Sequence, residues 1–237
     1  MGYKWKVILS FAAIYIIWGS TYLAIIIAIK DIPPMLMSGM RFLLAGIILY
    51  SWCLVKKEKQ PDLSSLGKNA FCGILMLFGG TGSVAWAEQY ISSGLAAIIV
   101  TSVPFWFILL DKKQWSFYFS NKTILLGLLI GFAGVALLMY FGKSSPVATA
   151  SHNEQLAGML VLVAGGISWA AGSLYSKYKP ASTSVTMNTS VQLIMAGIFS
   201  GLVSFISGEA KDFSFSQMHA DSLLALFYLI TLGSLVA

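Results

Sequence analysis

Apolar runs alternate with short polar breaks along the whole chain, and each run is long enough to cross a membrane. A bilayer core is crossed by about 20 apolar residues in a helix, with a range of roughly 17–25. On that criterion eight spans are predicted, at 7–29, 35–55, 69–88, 94–110, 122–141, 156–176, 183–206 and from 222 onward. The breaks have identifiable causes. Pro33-Pro34 ends the first span because proline lacks a backbone donor and disfavours helix in the residue before it. Lys56-Lys57-Glu58-Lys59-Gln60-Pro61 is too polar for lipid, and Ser144-Ser145-Pro146 and Lys179-Pro180 close two further spans. Backbone groups must be satisfied inside lipid, so each span is predicted to be a helix. The alternating strands of a membrane barrel, each about ten residues long, are absent. Lys4 and Lys6 give the first span the flank of a signal peptide. Its apolar run of about 23 residues exceeds the 7–15 of a signal core, however, and no small-residue cleavage site follows. It is read as a mature helix.

Composition turns this pattern into a class. The 237 residues are 57% hydrophobic, 14% aromatic and 10% charged, with a mean hydropathy of +0.80. A soluble domain carries about 25% charged residues. So few charges cannot cover a water-facing surface of this size, which excludes a soluble globular enzyme, and the aromatic content excludes a disordered chain. The formal net charge of +6 does not point to nucleic acid, because the lysines sit in the short breaks between spans. Basic residues concentrate in cytoplasmic loops. Lys4, Lys6, Lys56, Lys57, Lys59, Lys68, Lys112, Lys113, Lys122, Lys177 and Lys179 occupy the N-terminus and the second, fourth and sixth breaks; the other breaks hold Lys30, Lys143 and Lys211. A multi-pass protein with a cytoplasmic N-terminus is expected. Cys53 and Cys72 then lie as free thiols at the cytoplasmic ends of the second and third spans. Two cysteines build neither a disulfide scaffold nor a zinc site, and neither metal nor cofactor is expected.

A self-match at a spacing of 151 sharpens the picture. Trp18 matches Trp169, Ala45-Gly46-Ile47 matches Ala196-Gly197-Ile198, Arg41 falls opposite Gln192, and Gly82-Ser83 matches Gly233-Ser234. The matches fall at equivalent depths in spans one and six, two and seven, three and eight. A repeat of five spans is odd-numbered, so the second copy must be inverted in the membrane, an arrangement typical of transporters with a midplane site between the halves. The expected division is a first five-helix repeat over 1–146 and an incomplete second over 147–237, holding helices six, seven and part of eight. An equal second copy would end near residue 293. Ala237 falls inside span eight, opposite Trp86, and the expectation is an all-α ten-helix carrier from which roughly 55 residues are missing.

Particular residues carry a family resemblance. Trp18-Gly19-Ser20-Thr21-Tyr22-Leu23-Ala24-Ile25 precedes the Pro34 turn, and the second span carries Arg41-Phe42-Leu43-Leu44-Ala45-Gly46. Gly94-Leu95-Ala96-Ala97, Pro104 and then Gly127, Gly131, Gly134 and Val135 follow. This order resembles the EamA family of the drug/metabolite transporter superfamily. The resemblance implies an inner-membrane permease of ten helices in two inverted halves; many members export amino acids or other metabolites. Two departures stand out: the lost C-terminal helices, and the polar-aromatic stretch from Asp111 to Asn121, where many members carry an acidic turn.

Arg41 is the lone arginine, about six residues inside the outer end of the second span. A charge at the helix centre costs roughly 2.5–3.5 kcal/mol on insertion scales, less near the edge. Arg41 is therefore expected to face a cavity and attract an anionic solute group, to snorkel outward, or to pair with Glu88. Glu88 is the candidate coupling group, since no carboxylate lies deeper in any span. Its place near a span end favours facilitated diffusion or exchange over proton coupling. Trp18, Tyr22, Trp86 and Trp169 are candidate substrate contacts offering aromatic faces, with Trp106 and Tyr175 read as packing. Ser20, Thr21, Thr101, Ser102, Ser173 and Gln192 are candidate hydrogen-bonding contacts, although Ser and Thr also bond their own helices. Pro104 is expected to kink the fourth span. Gly79-Gly80-Thr81-Gly82 lacks the strand and the Gly-Lys-Ser/Thr ending of a phosphate loop, and reads as close packing, as do Gly127 with Gly131 and Gly197 with Gly201.

The resulting expectation is a secondary transporter, an exporter of small organic metabolites such as amino acids, working by alternating access. The alternatives are a non-transporting membrane scaffold or receptor, or a truncated inactive carrier. No enzyme is expected, since His152 and His219 fall in outer loops without metal spacing or paired carboxylates. The expected partners are a small-molecule substrate and the lipid bilayer, with no nucleic acid; the oligomeric state is open, a homodimer included.

Overall fold

The computed structural model describes residues 3–141, 150–211 and 213–236, and among these every regular element is helical. The helices are α1 (Tyr3–Ala28), α2 (Pro34–Val55), α3 (Leu63–Ala87), α4 (Ser93–Leu110), α5 (Trp115–Ser120), α6 (Lys122–Phe141), α7 (His152–Tyr178), α8 (Val185–Ser207) and α9 (Ala220–Val236). Six of them are long and apolar enough to cross a membrane, and α5 with α6 forms a seventh candidate bent by 96°. Each predicted span falls on a helix: six on helices that qualify as spans, with α3 starting six residues early at Leu63, the fifth on α6 of the bent pair, and the eighth on α9, a shorter apolar helix. The expected junction after residue 146 lies outside the described residues.

Local chemistry sets the helix ends. α2 opens on Pro34, where a missing N–H costs nothing. Asp62 accepts the Ser65 N–H at 3.0 Å, Ser92 the Leu95 N–H at 3.3 Å and Ser184 the Met187 N–H at 3.0 Å. Ser151 and Glu154 close a reciprocal capping box on α7. Gly208 ends α8 at φ +78°, a left-handed geometry that suits glycine.

Two long helices are not regular. In α3 the stretch Ile74–Gly82 is wound as a π-helix, and in α9 the same winding covers Thr231–Val236. The two windings overlap at the 151-residue spacing, since Gly82 ends the first and Gly233 lies in the second. α4 breaks at Thr101-Ser102, between Ser93–Val100 and Val103–Leu110, as Pro104 requires.

α2 and α8 cross closely at the centre. A Cβ on Gly46 would stand 2.7 Å from the Ile194 nitrogen, and one on Gly197 would stand 2.5 Å from the Leu43 nitrogen. Gly46 and Gly197 are 151 apart, and so are Leu43 and Ile194, so each contact maps onto the other at that spacing. Gly39 meets Gly201 farther along. Around this crossing lie buried Ile25, Ala28, Phe42, Ala85, Leu193 and Leu229.

The breaks gather at two ends. At one, Asp62 and Ser65 bond Ser182, Glu58 bonds Ser184, and Lys177 bonds Asp111. At the other, Asp31 bonds His219 and Glu209 accepts the Met35 N–H.

Candidate transport site

Arg41 lies on the face of α2 that meets α9, and it is 5% exposed. Its Nε donates to Ser234 Oγ and its Nη2 to the Gly233 carbonyl, both at 2.8 Å. The guanidinium also lies 5.2 Å from the centre of the Phe42 ring. Glycine at 233 makes the approach feasible, because a Cβ there would stand 3.2 Å from Nη2 and 3.2 Å from Thr21 Cγ2. Arg41 therefore does not snorkel outward, and its observed partners are neutral groups of the π-wound end of α9. Such windings occur often at functional sites.

Glu88 caps α3 and is 3% exposed. Neither of its carboxylate oxygens has a hydrogen-bond partner among the described residues. The ion pair with Arg41, weighed above as a structural role, is not formed.

A cleft of about 340 Å³ lies between α3 and α7, lined among others by Met35, Phe78, Ser83, Trp86 and Ser168. Gly79 of α3 and Gly165 of α7 line it too. Gly79 and Gly165 admit Ser168 and Ser83 at distances no larger residue would allow, and Ser168 Oγ donates to the Leu75 carbonyl at 2.7 Å.

The predicted contacts divide between this region and elsewhere. Trp86 lines the cleft and stacks near Tyr90, with centroids 5.0 Å apart. Ser20 bonds Tyr228 at 2.5 Å, tying α1 to α9 below Arg41. Thr21, beside Gly233, donates to the Trp18 carbonyl of its own helix, and Tyr22 packs on the buried core. Trp18 is 50% exposed on α1. Its mate Trp169 is packed over Gly80, where a Cβ would stand 2.7 Å from the indole. The two tryptophans thus occupy different surroundings. Thr101 is exposed and bonds the Ile98 carbonyl; Ser102 accepts from Trp106 Nε1 at 3.2 Å. Ser173 is half-buried on α7.

Gln192, 151 residues after Arg41, belongs to a polar group that the sequence reading did not single out. Its Nε2 donates to Asn69 Oδ1 at 3.3 Å, Asn69 Nδ2 donates to Asn188 Oδ1 at 2.8 Å, and Thr183 donates to the same oxygen at 2.5 Å. Asparagines inside otherwise apolar helices were the available signal.

Asp111 forms a third polar centre. It is 2% exposed and accepts from Tyr178 at 2.5 Å, Tyr118 at 3.0 Å and Lys177 at 3.1 Å. Burial pushes its carboxyl up, but those hydrogen bonds and the Lys177 charge outweigh burial and hold it below its ordinary value.

Comparison with known proteins places this architecture. Residues 5–140 match the model of the EamA-like transporter family. The chain is 35% identical over 226 residues to the uncharacterized inner membrane transporter YedA of Escherichia coli, covering 95% of this chain and 69% of that protein. It is 26% identical to the uncharacterized transporter YoaV of Bacillus subtilis, covering 92% of this chain and 73% of that one. One solved crystal structure, 18% identical, superposes with a TM-score of 0.61 over 94% of this chain and 72% of its own, which supports the fold. With its apolar helices and these relatives, the protein is a multi-pass membrane transporter, and the chain belongs to the EamA-like transporter family.

Proposed function

We propose that the protein is a secondary carrier that exports small organic metabolites such as amino acids, by alternating access between two inverted halves. The observation that carries this reading is the α2–α8 crossing. Gly46 on Ile194 and Gly197 on Leu43 are the same contact seen from either half, as a two-fold related pair of copies requires. Halves related in this way can exchange conformations, which opens a central site to one side and then the other. Arg41 is the proposed anchor for a solute carboxylate. It carries a full positive charge, its bonds to Ser234 and Gly233 are to neutral groups, and an arriving carboxylate offers a stronger, charge-assisted bond. Trp86 and the α3–α7 cleft supply an apolar wall for the rest of the solute.

The test is uptake of labelled amino acids, organic cations and nucleosides into proteoliposomes, with thermal stabilisation as the binding readout. Arg41→Gln places its amide where Nε stands, within reach of Ser234, so folding is expected to persist, with the melting temperature as the check. Affinity for carboxylate-bearing solutes is expected to fall by about 1.5–3 kcal/mol, roughly ten- to a hundredfold. Equal affinity in wild type and variant would remove Arg41 from the site. Absence of flux for every solute class, with well-folded protein, would favour the scaffold reading.

A further inference from the structure

Glu88 ends α3 two residues after Trp86, which lines the α3–α7 cleft. It is enclosed on every side, and neither of its oxygens meets a donor among the described residues. Among the described residues no cation is bonded to it. α1 contributes Tyr22, which lies within electrostatic reach of the carboxyl. α2 contributes Arg41, whose Nε and Nη2 are engaged by Ser234 and Gly233 of α9. α7 approaches through Gly158, against Ala87, Tyr90 and Ile91. Its ionisable groups at that end, His152 and Glu154, are exposed, and Ser151 holds Glu154. α4, from Ser93 to Leu110, has no ionisable side chain.

An acid kept only for stability is expected to have a donor, because a buried carboxylate without hydrogen bonds is among the most costly groups a fold can hold. The protonated acid suits this enclosure far better than the ion. The ion suits a conformation in which water reaches the end of α3. Intramembrane acids with two such states are the usual means of carrying protons.

From this geometry we infer that Glu88 is the proton-carrying group of the protein and that solute movement is coupled to a proton gradient. One O–H bond forms on a Glu88 oxygen with a proton from water on one side of the membrane. It breaks by returning that proton to water on the other side, and nothing is oxidised or reduced. The inference rests on the carrier reading above, and two measurements separate their fates. The first is a pH titration of the purified chain in liposomes by infrared difference spectroscopy. A protonated-carboxyl band that titrates in wild type, is absent from Glu88→Gln and is displaced in Glu88→Asp is expected. The second is uptake of the twenty labelled amino acids with and without an imposed pH gradient. Gradient-driven uptake is expected in wild type, lost in Glu88→Gln and retained in Glu88→Asp with a shifted pH profile; melting temperatures confirm folding. A band unchanged in Glu88→Gln overturns the proton site. Wild-type uptake indifferent to the gradient overturns the coupling but leaves the carrier reading standing. A titrating band with no flux of any amino acid overturns the coupling together with the proposed amino-acid substrates.

Discussion

Asp111 joins side chains from two other segments: Tyr118 from α5, and Lys177 and Tyr178 from the last turn of α7. Its carboxyl titrates below the ordinary value of about 4. A depressed carboxyl contributes stability that is present above the ordinary value and lost as pH falls through the lowered one. Asp111→Asn is therefore expected to lower stability at neutral pH by about 1 kcal/mol, a figure kept small because Lys177 is half exposed. The difference between the two proteins should shrink below about pH 4. Thermal unfolding at a series of pH values checks this, and a constant difference into acid would show that the negative charge is not what binds the segments. Arg41 and Glu88 were legible in the sequence as charges in apolar surroundings. Their environments were not. Ser234 is 193 residues from Arg41, and no local pattern shows which distant hydroxyl a guanidinium will meet. The hydroxyls divided in an equally unpredictable way: Thr101 turned to its own helix while Ser20 also reached Tyr228.

At the scale of elements, the spans could be read because lipid imposes one length and one type of structure. Pro104 foretold the break in α4 for a related reason, since a missing donor must interrupt the ladder somewhere. The π-windings of α3 and α9 had no comparable signature; glycine permits them without specifying them. Glycine roles also differ more than their spacing suggests. Gly197 is pressed against Leu43, whereas a Cβ on Gly127 or Gly131 would meet nothing within 4 Å among the described residues. Gly46→Ala and Gly197→Ala place a methyl against backbone atoms, which cannot swing aside as a side chain can. Each is expected to cost about 1–3 kcal/mol by overpacking, while Gly127→Ala should leave the melting temperature near that of wild type. Matched thermal unfolding of the three variants decides it. Tolerance at both 46 and 197 would mean that the crossing is looser than the geometry states, and the strongest support for exchangeable halves would go with it.

For the whole molecule, the decisive arrangement is the sorting of its breaks into two ends. Asp62 and Ser65 bond Ser182, Glu58 bonds Ser184 and Lys177 bonds Asp111 at one end, and Asp31, Glu209 and His219 lie at the other. The structure thus separates the lysine-rich breaks from the lysine-poor ones, as successive antiparallel spans require, and leaves one choice, which end faces the cytoplasm. That choice belongs to the lysines, because retention of positive charge during insertion acts on short loops near span ends. The native thiols cannot report it: Cys53 is 0% and Cys72 2% exposed, so an impermeant reagent is expected to miss both from either side. Ser64 and Ser216 are better positions, being exposed at opposite ends, and a serine-to-cysteine change leaves the lysine count untouched. In intact cells an impermeant maleimide is expected to label Ser216→Cys readily and Ser64→Cys only after the membrane is opened. The reverse pattern would place the Asp111 cluster outside and turn the proposed carrier over. Labelling of both in intact cells would mean that the chain inserts in two orientations, in which case any directional flux would have to be assigned to one population before Arg41 or Glu88 could be given a side.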